Sequence, residues 1–370
     1  MLGTQQMVKY VSGRGRSIGL SLAIVLVAAA CSSPTGAPAA SLPATPAGHS
    51  AAAATAAPSQ QPTTLTVVVP SNVMYSPLYV GVDKGIFLKH GIDLKISVLS
   101  SGPQALNGLH GGQFQFATLA WATAVPAAAQ GFAMKLFCPV VGQQGVSAFD
   151  QQLALIARPG LSVKSVKDLK GLKLGSSPGA VTDWAKLVYE KAGLDPATDM
   201  KLINVSFPNA LSAIQSGAAD VTAVPEPYGT LILDTVKGST LVARDGQETD
   251  VRPFITAEAG WFSKNPDLVD RMIAAYLESS QYVRMHPEDA AVASSHYIPG
   301  IATSILVDSI RVLHFDPRWS SGIETALDNE TQMLLKNGEI KTAPKTTDIL
   351  ALNVLDTIGQ KYPQYFTDLK

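Results

Sequence analysis

The sequence predicts an α/β protein made of two successive sheet-and-helix units followed by a mainly helical tail. Three features predict it. From Thr64 onward, short β-branched runs alternate with helix-period runs over brief connections, the grammar of parallel sheets with helices on both faces. The alternation breaks near Phe149, restarts, and continues to Arg252. Beyond that point come long amphipathic helices that need an apolar partner.

Taken in order, the chain opens with a segment outside that fold. Lys9, Arg14 and Arg16 precede the uncharged run IGLSLAIVLVAAA, Ile18 to Ala30. A basic stretch followed by an apolar one too short to span a bilayer is the layout of a secretion signal, so residues 1–30 are read as a signal peptide. It ends at VAAAC, which resembles a bacterial lipobox with Ala28 in the position usually held by Leu. Cys31 is then the expected lipidation site. Residues 31–63 hold Ala, Pro, Ser and Thr without a charge, cannot bury enough surface to fold, and are read as a disordered linker. Such a linker reaches roughly 30 Å. The expected location is the extracytoplasmic face of a bacterial cell membrane, lipid-anchored. Cys138 remains as the second cysteine, within the apolar run KLFCPVV, and no disulfide is expected.

The first unit, 64–148, reads as strand TLTVVV, polar turn PSNVMYSP, short helix PLYVGVDKGIFLKHG and strand DLKISVLS. Helix SGPQALNGLHGG, strand QFQFATLA and helix WATAVPAAAQG complete it. The second unit, 149–252, begins with strand QQLALIARPG and a short surface helix around SVKSVKDLKG. Strand LKLGSS then enters a helix in which Val181, Trp184, Leu187 and Val188 recur at helical spacing. Strand DMKLINVSF, helix PNALSAIQSG and buried strand ADVTAVPEP follow. In the tail, 253–370, Asn265 and Pro266 open the longest helix, with Asn265 as its cap. No repeat of about 20–50 residues suggests a solenoid.

The composition excludes several functions. Lys and Arg total 28 against 29 Asp and Glu, so there is no electrostatic footprint for nucleic acid. The six histidines are scattered and no cysteine cluster exists, so neither a metal site nor a cofactor is expected.

In open α/β sheets ligands bind at the carboxyl ends of strands. Here those ends are small and polar: Ser71, Asn72 and Tyr75; Ser100, Ser101 and Gly102; Thr118 and Trp121; Ser176, Ser177 and Gly179; Ser206 and Asn209; Glu226 and Tyr228. Each precedes a helix start, where free N–H groups and the helix dipole receive ligand oxygens. Helix capping accounts for any one of these turns. Six together point to a site. None contains Arg or Lys, whereas Tyr75 and Trp121 offer flat apolar faces and Glu226 a carboxylate. That set suits a neutral or cationic ligand, such as a small nitrogen heterocycle held between rings and bonded to Glu226. For either aromatic, packing against the sheet is an equal alternative.

SPLYVGVDKGIFLKHGIDLKI, then KDLKGLKLGSSPG, then LSAIQSGAADVTAVPEPY, resemble the solute-binding proteins of bacterial ABC importers. The likeness is to the nitrate/sulfonate/taurine and thiamine-pyrimidine-precursor branch, over roughly residues 64 to 300. It implies a periplasmic-binding-protein type II fold: two lobes joined by two crossover strands acting as hinge, with the helical C-terminal part packed on lobe 1. Crossings are expected near 145–152 and 252–258. The resemblance also places the loop before Pro77 (Asn72, Tyr75, Ser76), the Ser100–Gly102 turn, Thr118, the Ser177–Ala180 helix start and Glu226 on the cleft. A small solute, a permease and an ATPase are the implied partners, with the binding protein a monomer that closes on its ligand.

Rival readings are an esterase, a thiamine-pyrimidine-synthesis-like enzyme and a ligand sensor of the same fold. GSSPG (Gly175–Gly179) matches G-x-S-x-G between strand and helix. The oxyanion hole would need the N–H of the residue after the nucleophile, and Pro178 has none. The biosynthetic enzymes of this fold carry histidines and a cysteine cluster that this chain lacks. The chain is therefore expected not to be an enzyme, and the sensor reading stays open.

Overall fold

The computed structural model describes residues 61–99, 102–142, 152–244, 252–319 and 321–369. The signal peptide, Cys31, nearly all of the linker, Ser100, Ser101 and most of the first crossing lie outside the described residues.

Strands β1 (Thr63–Pro70), β2 (Ile92–Leu99), β3 (Phe116–Ala120) and β4 (Met134–Pro139) carry helices between them. These are α1 (Ser76–Asp83), α2 (Ile86–Lys89), α3 (Gly102–His110) and α4 (Trp121–Ala129). Gly85, at φ 69°, separates α1 from α2; that left-handed conformation ends the first helix where glycine adopts it without strain. The second group begins with β5 (Leu153–Ala157) and β6 (Lys173–Ser176), then helices α5 (Ala180–Lys191) and α6 (Pro196–Asp199). It continues with β7 (Lys201–Asn204), α7 (Ala210–Ser216), β8 (Val221–Pro225), α8 (Tyr228–Thr235) and β9 (Thr240–Arg244). The chain then returns through β10 (Pro253–Glu258).

Two five-stranded sheets result, in the orders β2-β1-β3-β10-β4 and β7-β6-β8-β5-β9. The orders are the same pattern used twice. β1 pairs in parallel with β2 and β3, and β6 with β7 and β8. The sheets are nonetheless mixed, which corrects the all-parallel expectation. β10 runs antiparallel to β3 and β4, and β5 antiparallel to β8 and β9. The reason is topological: β5 and β10 each arrive from the opposite sheet and enter at the end where the parallel strands leave. Pro253 faces Ala120, and Leu153 faces Pro225.

The tail includes α9 (Ala259–Lys264), α10 (Pro266–Met285), α11 (Pro287–Ser295), α12 (Thr303–Arg311) and α13 (Ser321–Lys336), then short helical turns at Thr346–Ile349, Leu352–Leu355 and Ile358–Lys361. It covers the first sheet. Tyr276 on α10 donates to the Val140 carbonyl, the Ala351 N–H donates to the Leu136 carbonyl at 2.9 Å, and Trp121 Nε1 donates to Thr331 Oγ1 at 2.8 Å. Asn265 occupies the residue before α10, but its side chain does not cap that helix; Nδ2 donates to the Trp261 carbonyl at 2.7 Å, closing α9 instead. Cys138 is fully buried and free, and burial pushes its thiol well above the ordinary range.

Candidate functional site

Because β5 and β10 enter antiparallel, their first residues join the carboxyl ends of the parallel strands. Pro70 and Asn72 after β1, Thr118 and Ala120 on β3, and Pro253 come from one sheet. Ser177 after β6, Pro225 on β8, and Gln152 and Leu153 come from the other. Together with Met74, Tyr75, Thr123, Pro178, Gly179, Ala180, Val181 and Phe207 they line one cavity of about 90 Å³. Among the described residues, no lining side chain carries a formal charge.

Its walls are held from behind. The Met74 N–H donates to Asn72 Oδ1 at 2.8 Å, fixing the turn after β1. Thr118 Oγ1 donates to the Val68 carbonyl at 3.4 Å. Burial pushes the Tyr75 phenol above its ordinary pKa, opposed by a hydrogen bond with Thr118, so the hydroxyl keeps its proton. Across the cavity, Thr182 Oγ1 donates to the Ser177 carbonyl at 2.7 Å. Gly179, at φ 107° and ψ −155°, makes the turn into α5. Essentially only glycine adopts that region. The N–H groups of Thr182 and Asp183 fold back on the Gly179 carbonyl at 2.9 and 3.1 Å. The first turn of α5, with Ala180 and Val181 on the cavity wall, presents the donor end of a helix.

Thr123, Pro178 and Gly179 also border a wider recess of about 850 Å³, which includes Asn107, His110, Gln130, Asn204, Lys186 and Glu339. There Lys186 Nζ lies 2.9 Å from Asp183 and 3.4 Å from Glu339 beyond α13. Burial raises the Asp183 carboxyl above its usual range, opposed by the Lys186 hydrogen bond.

Of the residues expected from sequence, Asn72, Tyr75, Thr118, Ser177, Gly179 and Ala180 meet at the small cavity. Gly102 opens α3. Five others are placed elsewhere. Ser76 is buried, donating to the Val73 carbonyl at 2.6 Å and meeting Ser294 Oγ at 2.8 Å, so it fastens α1 to α11. Trp121 packs in the core with its indole N–H on Thr331. Asn209 is exposed on the short turn before α7. Tyr228 Oη donates to the Ser71 carbonyl at 3.1 Å, a strut between the two sheets' turns. Glu226 has no exposed surface. Its Oε1 is 2.8 Å from Arg244 Nη1; its Oε2 accepts from the Thr230 N–H at 3.0 Å and from Ser309 Oγ at 3.3 Å. The partner a buried carboxylate needs is thus Arg244 at the end of β9, a strand the sequence reading did not isolate.

The reading missed Met74, Thr123, Gln152, Val181 and Phe207. Gln152 had a signal, as a polar residue immediately before the fully apolar strand LALIA at the lobe junction. Among the described residues no cluster of His, Cys, Asp or Glu could hold a metal, and no helix is long and apolar enough to cross a membrane.

Comparison with known proteins agrees with this geometry. A family profile described as NMT1/THI5 like matches residues 72–290. YtlA of Bacillus subtilis (strain 168) is 28% identical over 236 residues, 61% of this chain and 69% of its own. The bicarbonate-binding protein CmpA of Synechococcus elongatus is 24% identical over 241 residues, 59% of this chain and 53% of its own. The chain thus spans between about half and two thirds of the length of these curated relatives. The periplasmic aliphatic sulphonate binding protein SsuA of Escherichia coli superposes with a TM-score of 0.66 at 16% identity, covering 80% of this chain and 99% of its own. The fold is accordingly the two-lobed periplasmic-binding-protein type II fold.

Proposed function

The chain belongs to the NMT1/THI5-like family, and from that premise we propose that it is an extracytoplasmic solute-binding lipoprotein of an ABC importer. The observation that carries this reading is the shared cavity: both sheets turn their strand carboxyl ends onto one uncharged space. A solute there bridges both lobes, and its greater affinity for the closed arrangement shifts the population toward closure. The closed form is what a permease and its ATPase would read. Lipid on Cys31 and the charge-free linker would hold the body close to the membrane surface.

Size limits the solute. An apolar cavity of about 150 Å³ accepts benzene, so about 90 Å³ accepts a head group of fewer heavy atoms, with any tail in the adjoining recess. SsuA and CmpA are named for an aliphatic sulphonate and for bicarbonate, head groups of that size. Among the described residues, the donors that the cavity offers are hydroxyls and the α5 N–H groups.

A thermal-shift screen of amides, pyrimidines, sulphonates, nitrate and bicarbonate tests the reading. A solute at 100 times its Kd stabilises by about 2.7 kcal/mol. We expect a solute whose stabilisation disappears in Ala180→Trp, a substitution that fills the cavity from the start of α5. Equal stabilisation of wild type and variant would contradict the reading.

A further inference from the structure

Among the described lining residues, Gln152 carries a buried side-chain oxygen, Oε1, without a hydrogen-bond partner. It lies directly before β5 and is 1% exposed. Its backbone is fixed, because the Glu226 N–H donates to the Gln152 carbonyl at 2.8 Å. The amide plane is fixed as well: Nε2 lies 3.7 Å from Met74 Sδ. A thioether accepts hydrogen bonds and cannot donate one. The NH₂ therefore belongs against the sulfur, which leaves the carbonyl oxygen as the group requiring a donor. A buried amide oxygen without a donor is destabilising, and such groups persist where something outside the fold supplies the missing bond.

The same cavity holds the donor end of α5, at Ala180 and Val181. One wall gives hydrogen bonds and Gln152 asks for one. The complementary head group has an acceptor on one edge and an N–H on another, and the described lining residues offer no charge to pair with an ion. A sulphonate or nitrate fails this test. It brings acceptors only, and would set oxygen lone pairs against Gln152 Oε1.

We propose that Gln152 is a specificity-determining residue that accepts a hydrogen bond from the solute, and that the solute's head group is an uncharged amide or urea-type group. The proposal rests on the solute-binding reading above and narrows its ligand class.

Titration calorimetry of the full-length protein with a matched pair of probes, butyramide and propane-1-sulfonate, tests it, with nitrate as a third. Butyramide should bind at least tenfold more tightly than propane-1-sulfonate. Gln152→Leu should lose at least tenfold for butyramide and nothing for the sulphonate. Met74→Leu, which removes the sulfur and lets the amide turn over, should narrow the preference between the probes. If Gln152→Leu fails to fold, Gln152→Met and the wild-type preference still decide. Tighter binding of the sulphonate or nitrate to wild type, abolished by Ala180→Trp, would overturn this inference and leave the solute-binding reading standing. Binding indifferent to Ala180→Trp would overturn that reading itself. Binding of no probe would overturn the inference.

Discussion

At the scale of single residues, Glu226 shows how a carboxylate expected on the cleft is held by partners from three other places in the fold. Its carboxylate joins Arg244 on β9, the Thr230 N–H on α8 and Ser309 on α12. Removing the fully buried carboxylate takes away the 2.8 Å partner of Arg244 and the acceptor of two further hydrogen bonds. Glu226→Ala is expected to lower stability by about 3 kcal/mol in denaturant titration, while the folded fraction keeps solute affinity within about threefold; tenfold weaker affinity in folded protein would return Glu226 to the binding site. Gly179 behaves oppositely. Its backbone, at φ 107° and ψ −155°, lies where side chains are strained, so Gly179→Ala should destabilise by about 1–3 kcal/mol and also weaken solute binding. The sequence marked both positions as binding residues, in turns after buried strands. Only the fold separates them, because Arg244 is distant in sequence and Thr123, near Gly179, lies on the other sheet's helix. Gln152 was legible only in part: its place before an apolar strand stands in the sequence, but the isolation of its oxygen is created by neighbours from another element.

At the scale of elements, periodicity and turn chemistry made most strands and helices legible, down to the glycine break after α1. They did not reveal the antiparallel direction of β5 and β10, which depends on how the chain passes between sheets, and no local pattern encodes that. They also left open how the tail is fastened. Arg284 on α10 answers this: Nε and Nη2 grip Asp368 at 2.7 and 2.8 Å, and Nη2 also donates to the Tyr365 carbonyl at 2.6 Å. The hydrogen bond from Arg284 holds the Asp368 carboxyl below its usual range. A depressed folded value means the clasp stabilises fully above the ordinary carboxylate pKa of about 3.9, and the contribution is lost as pH falls through the lower folded value. Asp368→Asn should therefore reduce stability at pH 7 by about 1.5 kcal/mol and flatten the acid-unfolding profile below about pH 4. Unchanged profiles would show that the clasp contributes nothing.

At the scale of the whole molecule, one strand order used twice brings two sets of strand ends face to face. The contacts between the halves stand around the cavity. Tyr228 reaches Ser71 on one side, while Lys186 meets Glu339 and Lys336 meets Glu190 at 3.7 Å on the other. These exposed ion pairs are weak, which suits a joint that must open. The central claim is that one solute engages both sheets at once. Hydrogen–deuterium exchange on the full-length protein, with and without a saturating solute from the thermal screen, tests it most directly. The account predicts simultaneous protection of segments 72–76 and 118–123 on one sheet and 177–181 on the other; protection confined to a single sheet, or found at a surface away from both, would contradict it.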